Sequence, residues 1–168
     1  MQVLWLFLSL FLSFCLYYIF KNRFAVFFPS SKRIIDVVID FADIKKDDVL
    51  YDLGSGDGRI LVKIAKKGIK VVGIEKNRLL NWIARKKTKN FKNIKIIQDD
   101  LFKQKIDEAS VIVAYLSQKV TERLQKKIEK EVKKGTKIIL IDHKFLNWEP
   151  NRVKKVGFIS IRLYTKKK

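Results

Sequence analysis

Three glycines occupy alternate positions, Gly54, Gly56 and Gly58, between the apolar segment VLYDL and the helical pattern of RILVKIAKKG. Glycine at this density is typical of a backbone that turns sharply or lets another group approach closely. A strand, a glycine loop and a helix in this order form the first unit of a doubly wound sheet, which binds its ligand against the loop. The loop therefore predicts both a fold class and the position of a ligand.

The rest of the chain alternates short apolar segments with amphipathic ones. The pattern predicts strands at 49–53, 70–75, 93–98, 110–116, 136–142 and 157–165, and helices at 32–44, 58–68, 77–90 and 117–135. Strands that are apolar on both faces and alternate with helices are typical of a parallel sheet covered on both sides. We therefore expect an α/β fold with a doubly wound, mostly parallel sheet over residues 32–168.

The first twenty residues, MQVLWLFLSLFLSFCLYYIF, contain no charged side chain. A run of this length matches the hydrocarbon thickness of a bilayer. A buried helix is one alternative, and a cleaved signal peptide is another, but a signal peptide would begin with positive charge and end in small residues. We therefore predict a transmembrane anchor at 1–20 and a linker at 21–31. The basic residues that follow the anchor predict a single-pass protein whose domain is cytoplasmic.

Lys and Arg number 37 against 17 Asp and Glu, which gives a formal net charge of +20. The resulting positive electrostatic field favours anionic partners, either nucleic acid or an anionic membrane surface. The alternative is that the lysines are solvated surface residues without a binding role. The single cysteine, Cys15, lies in the apolar run. The sequence thus offers no disulfide, no thiolate metal site and no catalytic thiol, and we expect no metal.

The spacing and charge of the glycine loop indicate its ligand. The Gly-Lys-Ser/Thr of a P-loop does not occur, and the spacing differs from the G-x-G-x-x-G of a dinucleotide fold. Asp52 and Asp57 would repel a pyrophosphate but attract a ligand that carries ammonium and sulfonium groups. We therefore expect S-adenosylmethionine. Its predicted contacts in the loop are Asp52, Gly54, Ser55, Gly56 and Gly58.

Acidic residues also end the next two predicted strands. Glu75 follows the second strand, where a carboxylate can accept from both ribose hydroxyls of a nucleoside. Asp99 and Asp100 follow the third strand, where a carboxylate can accept from the adenine amino group. A structural turn with scattered surface acids is the alternative, but acids at three strand ends favour a nucleoside ligand.

On these residues the chain resembles class I, seven-strand S-adenosylmethionine-dependent methyltransferases. Its segments FFPSS, VLYDLGSGDGRILVKIAKKG, VVGIEKN, VIVAYLSQKVTERL and HKFLNWEP are similar to one branch. That branch contains the ATP synthase c-subunit and adenine nucleotide translocase lysine methyltransferases and their archaeal protein-lysine relatives. The resemblance implies methylation of protein lysines at or near a membrane. Many methyltransferases carry glycine where Asp99 stands, which favours Asp100 as the adenine contact.

The acceptor pocket is expected where strands four and five end. Tyr115 is the predicted catalytic residue because the end of strand four faces the transferred methyl group. Ser30, in the proline-serine pair, is expected at the cofactor, and Phe28 and Trp148 at the pocket, although each of these side chains can equally be ordinary packing. His143, the only histidine, ends strand five beside the same cleft, where a structural role is also open.

Two alternatives of other kinds stay open. A nucleic-acid methyltransferase suits the charge, but enzymes that methylate exocyclic base nitrogens usually carry an Asp/Asn-Pro-Pro-aromatic motif where this chain reads AYLS. Methylation of a cytosine carbon needs a cysteine nucleophile, which the predicted domain lacks. A non-catalytic, membrane-tethered binding module is the second alternative, but it would have no need of acids at three strand ends.

Overall fold

The computed structural model describes residues 2–21 and 31–167. In chain order its elements are α1 (Gln2–Lys21), α2 (Lys32–Phe41), β1 (Val49–Leu53), α3 (Arg59–Ala65), β2 (Lys70–Ile74), α4 (Arg78–Thr88), β3 (Ile94–Ile97), β4 (Val111–Ala114), α5 (Gln118–Glu131), β5 (Lys137–Ile141), β6 (Arg152–Val156) and β7 (Ile159–Thr165). Each strand and helix predicted from the sequence is present, with ends that differ by a few residues.

One seven-stranded sheet organises the fold, with strand order β3-β2-β1-β4-β5-β7-β6. The first five strands in that order are parallel, and β7 runs antiparallel between β5 and β6. The chain builds outward from β1 to β3 and then returns to add β4 on the other side of β1. A doubly wound sheet binds its ligand at the carboxyl ends of the strands where this reversal occurs. The predicted doubly wound, mostly parallel sheet is confirmed.

Side chains of the inner strands alternate between two apolar cores, one on each face of the sheet. On one face α2 and α3 bury residues such as Val38, Leu61 and Ile64. On the other face α5, which is mostly polar, buries Leu124 and Ile128 at helical spacing. Each such side chain contributes about 1.5–3 kcal/mol when it is fully buried. These helices are therefore held to the sheet by narrow apolar stripes, and most of their lysines face solvent, although Lys127 on α5 is buried and pairs with Glu131.

Short polar side chains fix where two helices begin. Ser31 accepts a hydrogen bond from the Ile34 N–H at 3.3 Å and so caps α2. The Asn77 side chain accepts from the N–H groups of Leu79 and Leu80 at 2.9 and 3.1 Å, and so caps α4. Such caps satisfy backbone donors that a helix leaves unpaired at its start. The cap on α4 also fixes the chain directly after Glu75.

The strand β6 is not predicted by the sequence pattern. Its residues, RVKKV, are exposed at four of five positions and show no apolar alternation. Its order comes instead from backbone pairing with β7. Residues 142–151, between β5 and β6, contain no helix, which agrees with the brevity of this segment in the sequence.

The transmembrane anchor predicted for residues 1–20 is not supported. These residues do contribute nearly all of the helix α1, and apolar side chains such as Trp5, Phe7 and Phe11 are exposed on it. Over the described residues, however, no helix combines the length and the apolar character needed to cross a membrane.

Candidate active site

The glycine loop leaves β1 through three residues with left-handed backbone. The φ angle is +83° at Gly54, +54° at Gly56 and +77° at Gly58, values that side chains with a Cβ rarely tolerate. A Cβ on Gly54 would approach the Leu116 side chain to 2.9 Å, and one on Gly58 would approach the Ala84 Cβ to 3.0 Å. Glycine is therefore required here by conformation and by the closeness of the chain after β4 and of α4.

Asp52 is the most perturbed carboxyl group of the site. It lies on β1 between β2 and β4, is 2% exposed, and its Oδ2 has no hydrogen-bond partner among the described residues. Burial, followed by the negative charges of Glu75 and Asp57, raises the pKa of Asp52 to about 8. The hydroxyl of Ser55, also buried, likewise lacks a partner within the described part of the chain. Two such atoms beside a glycine loop are what a polar ligand would satisfy.

Glu75 ties the loop to the start of α4. One of its carboxylate oxygens accepts from the Gly56 N–H at 2.9 Å, and the other accepts from the Asn77 N–H at 2.7 Å. The residue follows β2 directly, and its own N–H donates to the carbonyl of Ile97 on β3. Each carboxylate oxygen keeps a second lone pair for a ligand hydroxyl. The structure thus places Glu75 where the sequence predicts the ribose contact.

Asp57 corrects one part of the sequence interpretation. Its carboxylate pairs with Arg59 at 2.9 Å and also with Lys87. Although burial raises the pKa of Asp57, the hydrogen bonds from these two cations lower it to about 2. The charge of Asp57 is therefore neutralised within the protein and does not select the ligand.

The two acids after β3 close a turn. Asp99 accepts from the Asp100 N–H at 2.7 Å and from the Gln104 side chain at 2.6 Å. Asp100 accepts from the Phe102 N–H at 3.0 Å and pairs with Lys76 at 3.2 Å. These backbone hydrogen bonds are the main reason why the pKa of each carboxyl is lowered. The pair between Asp100 and Lys76 joins the ends of β3 and β2, so this turn lies on the Glu75 side of the site.

On the acceptor side, the residues expected from the sequence do not all converge. Tyr115 follows β4 and packs, half-buried, against the core on the α2–α3 face. Trp148 packs edge-on against Phe145, with ring centroids 5.3 Å apart, in the core on the α5 face. Tyr115 and Trp148 therefore pack on opposite faces of the sheet. Phe28 and Ser30 lie outside the described residues.

Two residues near the end of β5, Asp142 and Arg162, are missed by the sequence reasoning. Asp142 has φ +73°, and the His143 N–H donates back to the Ile141 carbonyl at 3.0 Å. Arg162, on β7, donates to the carbonyls of Asp142 and His143 at 2.7 and 3.3 Å. After desolvation, the negative charge of Asp142 is the second cause that raises the pKa of Tyr115. Asp142 carries the same signal that identifies Glu75, an acid directly after an inner strand.

The site fits S-adenosylmethionine on the geometry alone. Asp52 Oδ2 and the Ser55 hydroxyl are buried polar atoms without partners in the described structure, and they lie beside the glycine loop. Glu75 lies directly after the carboxyl end of β2, where the ribose contact is predicted. A cation near Asp52 would also offset the burial that disfavours its ionised form. The individual contacts of the predicted cofactor residues stay predictions.

Residues 52–152 match the ANTKMT methyltransferase domain family. The chain belongs to this family. It is an S-adenosylmethionine-dependent methyltransferase, so the resemblance and the cofactor inferred from sequence are both confirmed. The matched region runs from Asp52 through the loop, Glu75, Tyr115 and Asp142, and therefore spans both the cofactor side and the acceptor side of the site.

Similar proteins agree with this assignment. The methyltransferase is 34% identical over 133 residues to the protein-lysine N-methyltransferase of Saccharolobus islandicus (strain REY15A), a match that covers 76% of this chain and 83% of that protein. It is 30% identical over 141 residues to the human lysine N-methyltransferase of the ATP synthase c-subunit, covering 82% of this chain but only 60% of the human protein's length. The structure of an RNA methyltransferase from Salinibacter ruber in complex with S-adenosyl-L-homocysteine superposes with a TM-score of 0.81 at 33% identity, covering 83% and 94% of the two chains.

Proposed function

We propose that this methyltransferase transfers a methyl group from S-adenosylmethionine to the side-chain amine of lysine residues in proteins. The observation that carries the proposal is the 34% identity, over most of both chains, to an archaeal protein-lysine N-methyltransferase. The acceptor side agrees with it, because the residues after β4 read Tyr115, Leu116, Ser117 and lack the proline pair of enzymes that methylate base nitrogens. A half-buried tyrosine is a suitable wall for the alkyl chain of lysine.

The protein's part in the reaction is to bind and align the two substrates. S-adenosylmethionine supplies a methyl group that a sulfonium activates toward nucleophiles. Glu75 accepts from the ribose hydroxyls, Asp100 from the adenine amino group, and Asp52 faces the positive charge. In-line displacement depends mainly on holding the acceptor amine against the methyl group. Lysine has a free pKa of about 10.4, and desolvation beside Tyr115 lowers it, so that the amine loses its proton to solvent and reacts neutral.

A second candidate function, methylation of RNA, is favoured by one feature. A cavity of ≈ 710 Å³ lies beside α3, and its lining is mostly basic. Its cationic lining residues are Lys32, Arg59, Lys63, Lys66 and Lys87, of which Arg59 and Lys87 pair with Asp57 in the same lining. Such a surface suits phosphate groups, although it suits anionic lipid headgroups equally. Because the basic surface does not distinguish RNA from lipid, the proposal keeps lysine as the methyl acceptor and assigns this surface to binding anionic groups.

Membrane association is a further part of the proposal. The segment 2–20 carries no charge, and the apolar side chains described at positions 4–14 of α1 are exposed, as at Leu10 and Phe14. Exposed apolar surface of this extent favours contact with lipid or with another protein. We propose that α1 and the basic surface keep the enzyme at a membrane with its catalytic domain in the cytoplasm. Retention of the intact protein in membranes after carbonate washing would support this, and its release would count against it.

The acceptor is tested by incubating the purified protein with methyl-labelled S-adenosylmethionine and a membrane fraction. We expect label on protein lysines, located by mass spectrometry, that resists nuclease and increases from pH 7 toward 9. Gly56→Val, at a residue with φ +54°, is the matched inactive control. Label that nuclease removes, and that falls steeply with salt because phosphate contacts release counterions, would decide for RNA.

A further inference from the structure

We propose that Asp142 binds the ammonium group of the acceptor lysine and then orients the neutral amine for methyl transfer. This inference rests on the proposed lysine acceptor and names the side chain that would select it. The sequence pattern alone points only to His143 at this strand end.

Asp142 has an uncommon backbone conformation for a residue with a side chain. Its φ is +73°, and the hydrogen bond from the His143 N–H to the Ile141 carbonyl spans only three residues. Together these features define a γ-turn of the positive-φ kind, which is rare and strained. Aspartate and asparagine tolerate this region better than most other side chains do. The chain therefore makes an unfavourable turn directly at the carboxyl end of β5.

The turn is held in place from a neighbouring strand. The guanidinium of Arg162 donates to the carbonyls of Asp142 and His143, at 2.7 and 3.3 Å. The Asp142 N–H donates to the carbonyl of Ser160 at 2.7 Å. Strain of this kind persists only where the surroundings enforce it, and it clusters at functional sites. The enforced turn thus fixes where the carboxylate of Asp142 leaves the strand.

That position is on the acceptor side of the site. β4 and β5 are parallel neighbours, and Ala114 pairs with Leu140, so Tyr115 and Asp142 both emerge at the same edge of the sheet. Leu116, which follows Tyr115, is the side chain that a Cβ on Gly54 would meet. The end of β4 therefore lies beside the cofactor loop, with the end of β5 next to it. The negative charge of Asp142 also contributes to the raised pKa of Tyr115.

The carboxylate of Asp142 is free to take a cation. It is half-buried, and it forms no hydrogen bond or ion pair with any residue in 2–21 or 31–167. Arg162, the cation that contacts this turn, is committed to main-chain carbonyls. A lysine enters the site as an ammonium, for which a half-buried carboxylate is a strong partner. The Asp142 carboxylate by itself favours the ammonium form, so desolvation beside Tyr115 has to outweigh it for the proton to leave to solvent. The neutral amine still has two N–H groups, and one of them bonding to Asp142 directs the lone pair.

Asp142→Asn is the test variant, because asparagine keeps the left-handed conformation and removes only the charge. Asp43→Asn is the matched control. Asp43 is an exposed aspartate with positive φ (45°), and its carbonyl accepts from Lys137 at the opposite end of β5. Asp142→Gly provides a second way to remove the carboxylate without strain if the asparagine variant folds poorly.

The three proteins are compared with labelled S-adenosylmethionine and the membrane-fraction proteins as acceptor. Removing one partner of a charge pair should raise the apparent KM for acceptor protein by about tenfold or more in Asp142→Asn, with a smaller change in kcat. Asp43→Asn should match the wild type, and calorimetry should give the same cofactor affinity for all three. Nα-acetyl-lysine amide should inhibit the wild type better than its norleucine analogue, and Asp142→Asn should lose that preference.

The outcomes separate the two proposals. Equal KM values for wild type and Asp142→Asn, with lysine label in both, would overturn the role of Asp142 and leave the lysine acceptor standing. A parallel loss of cofactor affinity in Asp142→Asn would place the residue at the cofactor and would also overturn the inference. A wild type that binds cofactor but labels no lysine would refute the proposed function itself, and this inference with it.

Discussion

Asp52→Asn should stabilise the cofactor-free protein in alkaline solution while it weakens cofactor binding. In the folded protein the Asp52 carboxyl is 2% exposed, and its pKa lies near 8 instead of the ordinary 3.8. The unfolded chain therefore releases this proton from about pH 4 upward, whereas the folded chain holds it to about pH 8. Unfolding releases a proton throughout that window, so the folded state loses stability as the pH rises. Asparagine removes this penalty because it never ionises.

The magnitude follows from the size of the pKa shift. A rise from 3.8 to about 8 is about four pKa units. At about 1.36 kcal/mol per unit, the free energy of unfolding should fall by on the order of 5 kcal/mol between pH 4 and pH 9. That loss is comparable with the whole stability of many domains, roughly 5–15 kcal/mol. The variant should equal the wild type near pH 4 and exceed it increasingly up to pH 9.

Urea unfolding at a series of pH values gives the free energy of unfolding of wild type and of Asp52→Asn. The difference between the two values isolates Asp52, because the other titrating groups are the same in both proteins. Asp57→Asn is the control in the same loop. The pKa of Asp57 is lowered to about 2, so its contribution is present above the unfolded value near 4 and is lost as the pH falls through 2. That variant should be less stable by roughly 1–2 kcal/mol at every pH from 5 to 9. If the free energies of unfolding of wild type and Asp52→Asn differ by the same amount at every pH from 4 to 9, the proposed burial of the Asp52 carboxyl group is refuted.

Three further perturbations have defined outcomes. Gly56→Val should abolish S-adenosylmethionine binding in calorimetry, because φ +54° is strained for a branched side chain beside the ligand, and unchanged affinity would place the cofactor elsewhere. Glu75→Ala should lower that affinity by about tenfold or more, with Glu75→Gln intermediate, and a loss below about twofold would remove Glu75 from the ribose site. Arg162→Met should lower the free energy of unfolding by roughly 1.5–3 kcal/mol for each lost charge-assisted bond, and Arg152→Met, at an exposed position, serves as its control.

Much of the fold could be predicted because the inner parallel strands β1, β2, β4 and β5 are buried on both faces and therefore appear in the sequence as apolar runs. β1 and β5, with segments VLYDL and KIILI, show this pattern most clearly. β6 could not be predicted, because most of its side chains face solvent and it joins the sheet through backbone hydrogen bonds to β7. Backbone pairing of an exposed edge strand leaves almost no trace in side-chain polarity.

Parts of the candidate site could be predicted at positions where a single physical requirement selects the residue type. Glycine is required at positions 54, 56 and 58 by positive φ, and Glu75 follows a strand whose end must meet a ligand. The partners of Asp57 were not predictable, because Lys87 is thirty residues away in sequence and reaches the loop only through the packing of α4. Asp142 was not predicted because it is distinguished by its positive φ and by the hydrogen bond from Arg162 to its carbonyl, and neither can be inferred from residue types alone.

These corrections change how the loop selects its ligand. The sequence predicts negative charge beside the glycines from Asp52 and Asp57, but in the folded protein Asp57 is neutralised by cations and Asp52 is protonated below about pH 8. Neither group then presents an uncompensated negative charge to a ligand at neutral pH, and both oxygens of Glu75 accept from backbone N–H groups. A cationic ligand beside Asp52 would favour the ionised carboxylate and so release its proton on binding. Affinity for the cofactor should therefore rise with pH up to about 8 in the wild type, and this rise should be absent in Asp52→Asn.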